Sequence, residues 1–360
     1  MTITDHDIAR WRLRSQHAIG PFIDGAETVV DSLLAVQAEN PAQSAWAVVS
    51  RTSAPDLGEL AELLGSGQVL RTHVLRPTWH YVRADDAAWL LELTAPRVRR
   101  VTAQGLREVF GMGAPSVDTA SELVLAAVAD GRHRTRPELA DELSQHGFEL
   151  SGQQLMILLA HLELDLLVCS GIPRDGEHTY ARFDERVPSP RRPDRDDALG
   201  EIARRYFSGH GPATERDLAY WATLTLGDVR RGLESARDHL DSFQHDGRTF
   251  WHAPGDPPDG PGQPGAHLLQ ILDELYRGYQ DSRMVLDVAG LLQRGREPTA
   301  GMALVDAQIV ATMRRRLTSD RVIFSLGPYR DLRRRELDEL RRAAARYGDV
   351  LGLEGVLEVS

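Results

Sequence analysis

A side-chain amide and a carboxylate lie two residues apart at Gln37 and Glu39, between two predicted helices. Asn40 followed by Pro41 predicts a helix start near residue 41, because Asn can cap free amides and proline has no amide hydrogen to leave unbonded. The residue before a proline disfavours the α conformation, so the preceding helix must end earlier. Gln37 and Glu39 therefore fall in a short extended joint, where residues i and i+2 share one face.

The two side chains of this joint have complementary chemistry if they face the same small volume. A carboxylate can act as a general base or stabilise positive charge, and the positive end of the following helix dipole favours its ionised form. An amide cannot act as a base at neutral pH, but it can hold a water through one donor and one acceptor. The joint is thus a candidate site for orienting and activating a water.

The elements around the joint follow a repeated order of helices and short β pairs, which is typical of winged-helix units. The clearest copy has three helices and a hairpin near residues 121–129, 135–143, 151–166 and 167–183. A second copy has its three helices near 197–207, 214–221 and 225–237, and its hairpin turns at Asp246-Gly247, a strong two-residue turn signal. A looser copy covers residues 20–83, with a β-rich stretch at 69–82 as its wing.

We therefore predict a mainly α protein with small β wings, built from three tandem winged-helix units and a C-terminal α+β domain. Residues 253–266 contain five prolines and four glycines, which indicates a linker. In the C-terminal part, the sequence pattern predicts paired strands within 302–326 and an arginine-rich helix over 331–347. The predicted units are 1–110 with the joint, 111–190, 191–252, the linker 253–266, and the domain 267–360.

The composition excludes several classes of protein and site. No stretch approaches the roughly 18 apolar residues of a membrane span, and the N-terminus is too acidic for a signal peptide, so we expect a cytoplasmic protein without a membrane partner. Cys169 is the only cysteine, which excludes an internal disulfide and a metal site of several thiolates. The 13 histidines form no HExxH pairing. We expect neither a metal nor a cofactor.

All 42 basic residues are arginine, and none is lysine. A Schiff-base mechanism needs an amine nucleophile, and the α-amino group of Met1 is the only amine left for it. Arginine cannot replace lysine there because it stays protonated. The net charge of −11 argues weakly against nucleic acid as a partner. The arginines are nevertheless clustered, either as solvated faces or as a basic channel, at 97–100, 191–192, 314–316 and 333–335.

Several segments together resemble the tandem winged-helix DNA glycosylases (AlkZ/YcaQ-like), and the resemblance covers nearly the whole chain. They are Gln37-Ala-Glu39, Val69-Leu-Arg-Thr-His-Val-Leu-Arg-Pro-Thr-Trp-His-Tyr-Val82, the helix and wing around 155–169, Tyr206-Phe-Ser-Gly-His-Gly-Pro-Ala213, and Asp273-Glu-Leu-Tyr-Arg-Gly-Tyr-Gln-Asp-Ser-Arg283. The family implies a C-shaped array of three winged helices with a C-terminal β-barrel-like element. Family members carry Gln-apolar-Gln or Gln-apolar-Asp at the catalytic position, and this chain departs with Glu39.

The resemblance implies removal of alkylated bases from double-stranded DNA, including bulky N7-guanine adducts and crosslinks. Gln37 and Glu39 would then be catalytic, with Glu39 as base and electrostatic partner and Gln37 holding the water. Since no lysine can form an imine, we expect a monofunctional enzyme without lyase activity. The expected protein is a monomer without a cofactor, and self-resistance to a DNA-alkylating natural product is one role the family includes.

Further residues carry over at the matched positions. Strand alternation in the 69–82 stretch places Thr72, Arg76, Thr78 and His80 on one face, which we predict to line the DNA side of the site. The predicted DNA-binding residues of this stretch are Arg71, His73, Arg76, Thr78 and His80, with Arg76 and His80 as the first candidates for phosphate or base contacts. The alternative for His80 and Trp79 is a packing role. Possible supporting residues are Asn40, Trp46, Asp273 and Arg283, with Tyr279 in the same matched segment. Trp46 is expected in the core more than as a stacking platform.

Two other classes of function stay open from the sequence. A non-catalytic winged-helix regulator would bind duplex DNA through a recognition helix. Against this, the third helix of the clearest unit, near 153–163, has no arginine for reading bases. A protein that kept the scaffold and lost the active pair would have little use for an ionisable Glu39.

Overall fold

The computed structural model describes residues 3–76, 78–110, 114–255, 257, 265–292 and 300–359. About half of the chain is helical, and small sheets accompany the helices. The helices are α1 (Asp5–Ser15), α2 (Ala26–Leu33), α3 (Pro41–Val49), α4 (Leu57–Ser66), α5 (Ala84–Phe110), α6 (Ala114–Ala127), α7 (Arg136–Gln145), α8 (Gly152–Leu164), α9 (Phe183–Arg186), α10 (Arg195–His210), α11 (Glu215–Trp221), α12 (Leu226–Ala236), α13 (Glu274–Arg277) and α14 (Arg334–Leu351).

The strands form four sheets in the described residues. The strands are β1 (Ala35–Gln37), β2 (Val69–His73), β3 (Trp79–Arg83), β4 (Arg134–Thr135), β5 (Val168–Ser170), β6 (Thr179–Arg182), β7 (Asp241–His245), β8 (Arg248–His252), β9 (Ala266–Leu269), β10 (Gly301–Val305), β11 (Gln308–Leu317), β12 (Arg321–Pro328) and β13 (Glu354–Val359). Their orders are β1-β3-β2, β4-β6-β5, β7-β8 and β13-β12-β11-β10-β9, the last a curled half-barrel that α14 covers.

The joint is extended, as the sequence predicts. Strand β1 ends at Gln37, helix α3 begins at Pro41, and Asn40 is its N-cap residue. The Asn40 side chain makes no capping hydrogen bond, so the cap rests on proline at the first position. Strand β1 pairs with β3 so that Gln37 lies opposite His80. The catalytic candidates therefore lie on and just beyond an edge strand of the first sheet.

The 69–82 stretch is a hairpin. The prediction that a single strand places residues 72, 76, 78 and 80 on one face is therefore wrong. The chain turns back after His73, with Leu75 at a φ of 69°, and β3 then pairs with β2. Thr72 and His80 are direct partners and share a face, together with Gln37. Arg76 and Thr78 lie in the turn, outside the pleat, and alternation does not determine their direction.

Helix caps and turns in the middle of the chain agree with the sequence. Thr135 and Ser151 cap α7 and α8 through reciprocal bonds with Glu138 and Gln154. The β7-β8 hairpin turns at Asp246-Gly247, with φ values of 47° and 69°, as a two-residue turn requires. The assignment of these helices and hairpins to winged-helix units stays a prediction.

The hydrophobic cores cross the predicted unit boundaries. One cluster joins Leu70, Cys169 and Trp221, which belong to three predicted units. Another joins Ile8 of α1 to Leu275 of the C-terminal part. Arg10 of α1 also makes an ion pair of 2.8 Å with Asp306 at the β10-β11 turn. In the described part of the chain, no helix has both the length and the apolar character needed to cross a membrane.

Candidate active site

Gln37 and Glu39 both reach the main chain of Trp79, the first residue of β3. The Glu39 carboxylate accepts a hydrogen bond of 3.1 Å from the Trp79 amide. The Gln37 side-chain amide donates to the Trp79 carbonyl over 3.5 Å, which is long for a hydrogen bond. Between them, the Ala38 amide donates to the same carbonyl over 2.7 Å. The structure thus brings the side chains of the predicted pair to the main chain of the same residue.

The two side chains differ in their access to solvent. Glu39 is exposed at the surface, whereas Gln37 is 1% exposed. A molecule that approaches the joint from outside therefore meets the carboxylate first. The amide lies behind it, in the protein interior.

Arg76 fixes the orientation of the Gln37 amide. Its guanidinium donates a hydrogen bond of 2.8 Å to Gln37 Oε1. Because a guanidinium can only donate, the amide oxygen must face Arg76 and the NH₂ group must face the other way. The NH₂ group then has one partner among the described residues, the long contact to Trp79. One of the two lone pairs of the amide oxygen is thus taken by Arg76, and a water held by Gln37 through both a donor and an acceptor stays a prediction.

A buried carboxylate, Glu274, lies behind the joint. It is fully buried on α13, and its Oε2 accepts a hydrogen bond of 3.1 Å from the Gln37 main-chain amide. Its Oε1 accepts from the Trp221 indole at 2.6 Å and contacts His210 Nε2 at 3.0 Å. Burial raises the pKa of Glu274, but the His210 hydrogen bond and the positive charges of His210 and Arg76 lower it to about 2.

His80 is the cross-strand partner of Gln37, and it is a neutral imidazole at physiological pH. Burial, reinforced by the charge of Arg76, lowers the pKa of His80 to about 3. Its Nδ1 lies 2.9 Å from the Thr78 carbonyl, so Nδ1 must carry the hydrogen and Nε2 must be the acceptor. Among the described residues, His80 Nε2 has no hydrogen-bond partner, and neither do Thr78 Oγ1 and Gln270 Oε1.

The residues predicted to contact DNA are largely buried. Arg71, His73, Arg76 and His80 are at most 8% exposed, and Thr78 is half-buried. Arg71 lies over the Trp79 ring and donates to the carbonyls of Ala38 and Glu39. His73 makes a short contact with the buried Glu163. In this structure the buried four support the joint from inside, and direct DNA contact by any of the five stays a prediction.

The supporting candidates lie in the framework of the site. Asp273 caps α13 through the Leu275 amide at 3.0 Å and pairs with Arg51 at 3.4 Å. Arg283 donates to the Tyr279 carbonyl at 2.8 Å, and Trp46 packs on Tyr347 of α14 with ring centres 4.3 Å apart.

Tyr279 donates to the His210 carbonyl at 2.6 Å, directly beside the Glu274 cluster. Its phenol is fully buried. Tyr279, which belongs to a segment matched to the family, therefore has a structural role in this fold.

Two arginine clusters tie the molecule together. Arg97 and Arg99 of α5 donate to the carbonyls of Leu224 and Leu164 at 2.9 and 2.6 Å. Arg191 pairs with Asp86 at 3.1 Å, and Arg192 pairs with Glu92. Arg97, Arg191 and Arg192 are nevertheless exposed, and a basic channel lined by them stays a prediction. In the two C-terminal clusters, Arg314, Arg316, Arg333, Arg334 and Arg335 are exposed, and Arg315 is half-buried.

Sequence reasoning missed the residues that hold Gln37 from behind. Glu274, His210 and Trp221 were not singled out, although Glu274 and His210 fall inside segments matched to the family. The sequence holds one indication of this role: Glu274 directly follows Asp273 and precedes the apolar pair at 275–276, which favours burial of the Glu274 side chain. Its partners come from α10 and α11, and no local pattern predicts that contact.

Gly278 closes the Glu274 cluster and offers a test of its packing. A Cβ there would lie 2.6 Å from the Glu274 carbonyl and 3.0 Å from His210 Cδ2, although the backbone φ of −63° suits any residue. We expect Gly278→Ala to lower stability by about 1–3 kcal/mol and to slow any activity of the joint. Gly152→Ala, with nothing within 4 Å, is the control. Equal urea midpoints for the two variants would contradict this packing.

The similarity to known proteins extends over most of the chain. A family model described as "DNA glycosylase AlkZ-like" matches residues 30–350. A curated interstrand DNA cross-link repair glycosylase from Streptomyces sahachiroi is 24% identical over 248 residues, which span 66% of this chain and 66% of that protein. The solved structure of the Streptomyces sahachiroi DNA glycosylase AlkZ aligns with a TM-score of 0.76 at 20% identity, over 100% of both chains. The structural likeness shows a shared fold.

Proposed function

Because the chain belongs to the AlkZ-like DNA glycosylase family, matched over residues 30–350, we propose that it is a DNA glycosylase acting on alkylated purines in duplex DNA. The observation that carries the proposal is the convergence of an exposed Glu39 carboxylate and a buried, oriented Gln37 amide on Trp79. We propose N7-alkylguanine, including bulky adducts, as the base removed. The proposed scaffold is three tandem winged-helix units and a C-terminal α+β domain, acting as a monomer.

The chemistry of the substrate suits a carboxylate at this position. A purine alkylated at N7 carries positive charge, so its glycosidic bond breaks through a sugar with oxocarbenium character. The bonding electrons leave with the base, and water then attacks C1′. Glu39 stabilises the cationic sugar and accepts the proton that the water releases. The products are a free base and an abasic site.

Gln37 contributes orientation. Its oxygen is held by Arg76 and its main-chain amide by Glu274, so the NH₂ group has a fixed direction. A donor in that position can hold the oxygen of the attacking water while Glu39 takes its proton. The unpartnered His80 Nε2 and Thr78 Oγ1 give the same region further capacity to bind a water.

The lesion and the biological setting belong to the same proposal. The curated relative from Streptomyces sahachiroi is named for interstrand cross-link repair, and by that likeness we propose crosslinked or bulky adducts as the preferred lesions. Self-resistance to a DNA-alkylating natural product is the setting we propose. Since the chain has no lysine, we propose hydrolysis without strand cleavage by a lyase step.

The non-catalytic regulator finds less support in the structure. Helix α8, its expected recognition helix, packs against α5 and β2. Its Glu163 is fully buried and accepts a hydrogen bond of 3.0 Å from Thr72. These contacts bury the last turn of α8, and its exposed residues, Gly152, Gln153 and Met156, are confined to its first half.

A single-turnover assay tests the proposal. The intact protein is incubated in excess with duplex DNA that carries one N7-alkylguanine, either methyl or bulky, and the released base is quantified. We expect release above the spontaneous rate, and borohydride trapping should yield no covalent protein-DNA adduct. If neither adduct is released faster than in buffer, the regulator or the inactive scaffold becomes the better assignment.

A further inference from the structure

Three guanidinium groups surround one tyrosine ring beside the joint. The carbon atoms of the Arg76, Arg283 and Arg277 guanidiniums lie 5.3, 5.7 and 6.0 Å from the centre of the Tyr220 ring. Tyr220 and Arg277 are half-buried, so each presents part of its side chain to solvent, whereas Arg76 and Arg283 are buried. The group combines a half-buried aromatic residue with a concentration of positive charge.

The position of this ring is fixed relative to the joint by two independent links. Arg76 lies near the Tyr220 ring and also donates to Gln37 Oε1 at 2.8 Å. The next residue, Trp221, donates its indole hydrogen to Glu274, which holds the Gln37 main chain. A chain of direct contacts therefore connects the ring to Gln37.

The electrostatics of this region favour an anionic partner. Among the described residues, Arg76 forms no ion pair within 4 Å; its other hydrogen bonds go to the carbonyls of Trp221 and Arg277. Burial lowers the pKa of Arg76, and the negative charge of Glu274 opposes this shift. The Glu274 carboxylate is, however, already in contact with His210. A buried guanidinium without an ion-pair partner, as at Arg76, is costly, and a phosphate at the adjacent surface would reduce that cost.

We propose that Tyr220 and Arg277 form a DNA contact beside the joint, in which the tyrosine ring stacks on an unpaired base and the guanidinium faces the neighbouring phosphodiester. This contact rests on the proposed function, because a base becomes unpaired when the modified nucleotide leaves the helix. An aromatic ring offers a stacking surface that tolerates any base, and cations beside it attract the phosphate of the same nucleotide. Nothing in the catalytic step requires Tyr220, so its role would be in holding the opened DNA.

The test measures binding, so it can be read even if base release is not observed. Fluorescence anisotropy gives the Kd for a duplex with a tetrahydrofuran abasic analogue, over a series of salt concentrations. We expect Tyr220→Leu to weaken this binding roughly tenfold at unchanged salt dependence. Tyr220→Phe, which keeps the ring, should lose much less. Arg277→Gln should reduce the slope of log Kd against log salt by about one.

Tyr329→Leu is the matched control, since Tyr329 is another half-buried tyrosine, in the C-terminal part. It should bind the abasic duplex as the wild type does. The proposal is overturned if Tyr220→Leu retains wild-type affinity, or if it loses no more than Tyr220→Phe. Should Tyr220→Leu fail to fold, the salt slope of Arg277→Gln decides, and an unchanged slope overturns the phosphate contact. Failure of the proposed function is separate: the wild type would then bind but release no base.

Discussion

Glu39→Gln should slow single-turnover release of an N7-alkylguanine by about 100- to 10,000-fold, while DNA binding stays unchanged. Glutamine has the same shape and can still accept the hydrogen bond from the Trp79 amide, so the local structure should be kept. It carries no negative charge to stabilise the sugar cation, and it cannot accept the proton of the water. The loss should therefore appear in the rate of the chemical step and leave Kd unaffected.

Two companion variants make this result specific. Glu62→Gln removes the charge of another exposed glutamate on α4 and should release base at the wild-type rate. Glu39→Asp keeps the charge but withdraws the carboxylate by one methylene, so we expect a rate between those of the wild type and Glu39→Gln. A Glu39→Gln variant as fast as the wild type would exclude Glu39 from the chemical step.

Glu274→Leu should lower the free energy of unfolding by about 3–5 kcal/mol, the second large effect we expect. The substitution leaves the Gln37 amide, the Trp221 indole and His210 without their shared acceptor in a fully buried site. Glu274→Gln keeps an acceptor oxygen and should cost less. Denaturant unfolding measures both, with Glu62→Gln as the surface control.

The pH dependence of stability gives an independent check on Glu274. Its pKa is lowered from 4.5 to about 2 in the folded protein, so the ionised form favours folding above pH 4.5. This contribution, on the order of 3 kcal/mol, is lost as the pH falls from about 4.5 to about 2. The wild type should therefore lose stability more steeply across this range than Glu274→Gln. Parallel curves would show that Glu274 is not held as an anion.

The local structure around the joint could be predicted because short-range rules determine it. Proline at position 41 fixes where α3 begins and, through its effect on the residue before it, where the extended segment must lie. The capping pairs at Thr135 and Ser151 and the Asp246-Gly247 turn are equally local signals. Each depends on residues at most a few positions apart, and each agrees with the structure.

The environment of the joint could not be predicted, because it depends on contacts between distant segments. Gln37 meets Glu274 across 237 positions of the chain, and no periodicity encodes that distance. The 69–82 stretch shows the same limit at shorter range: alternation along one strand was assumed across a turn that begins after His73. The burial of Arg71 and Arg76 could not be predicted because arginine usually lies at the surface, whereas the full burial of His80 fits the packing role that the sequence left open as an alternative.

The full extent of the C-terminal sheet and the packing of helix α1 could not be predicted from sequence patterns either. Paired strands were predicted over 302–326, whereas the sheet also includes β9 and β13 from either side of that region. Helix α1 shares a hydrophobic core with that part of the chain. Such a pairing of both ends of the chain joins residues that no local window contains.

The distance along the chain between Gln37 and Glu274 has a consequence for biosynthesis. A ribosome makes the joint first, and the anion that anchors it follows 237 residues later. An unfinished or prematurely terminated product would therefore carry the reactive pair without its anchor. The Gln37 main chain can therefore be anchored in this way only after Glu274 has left the ribosome.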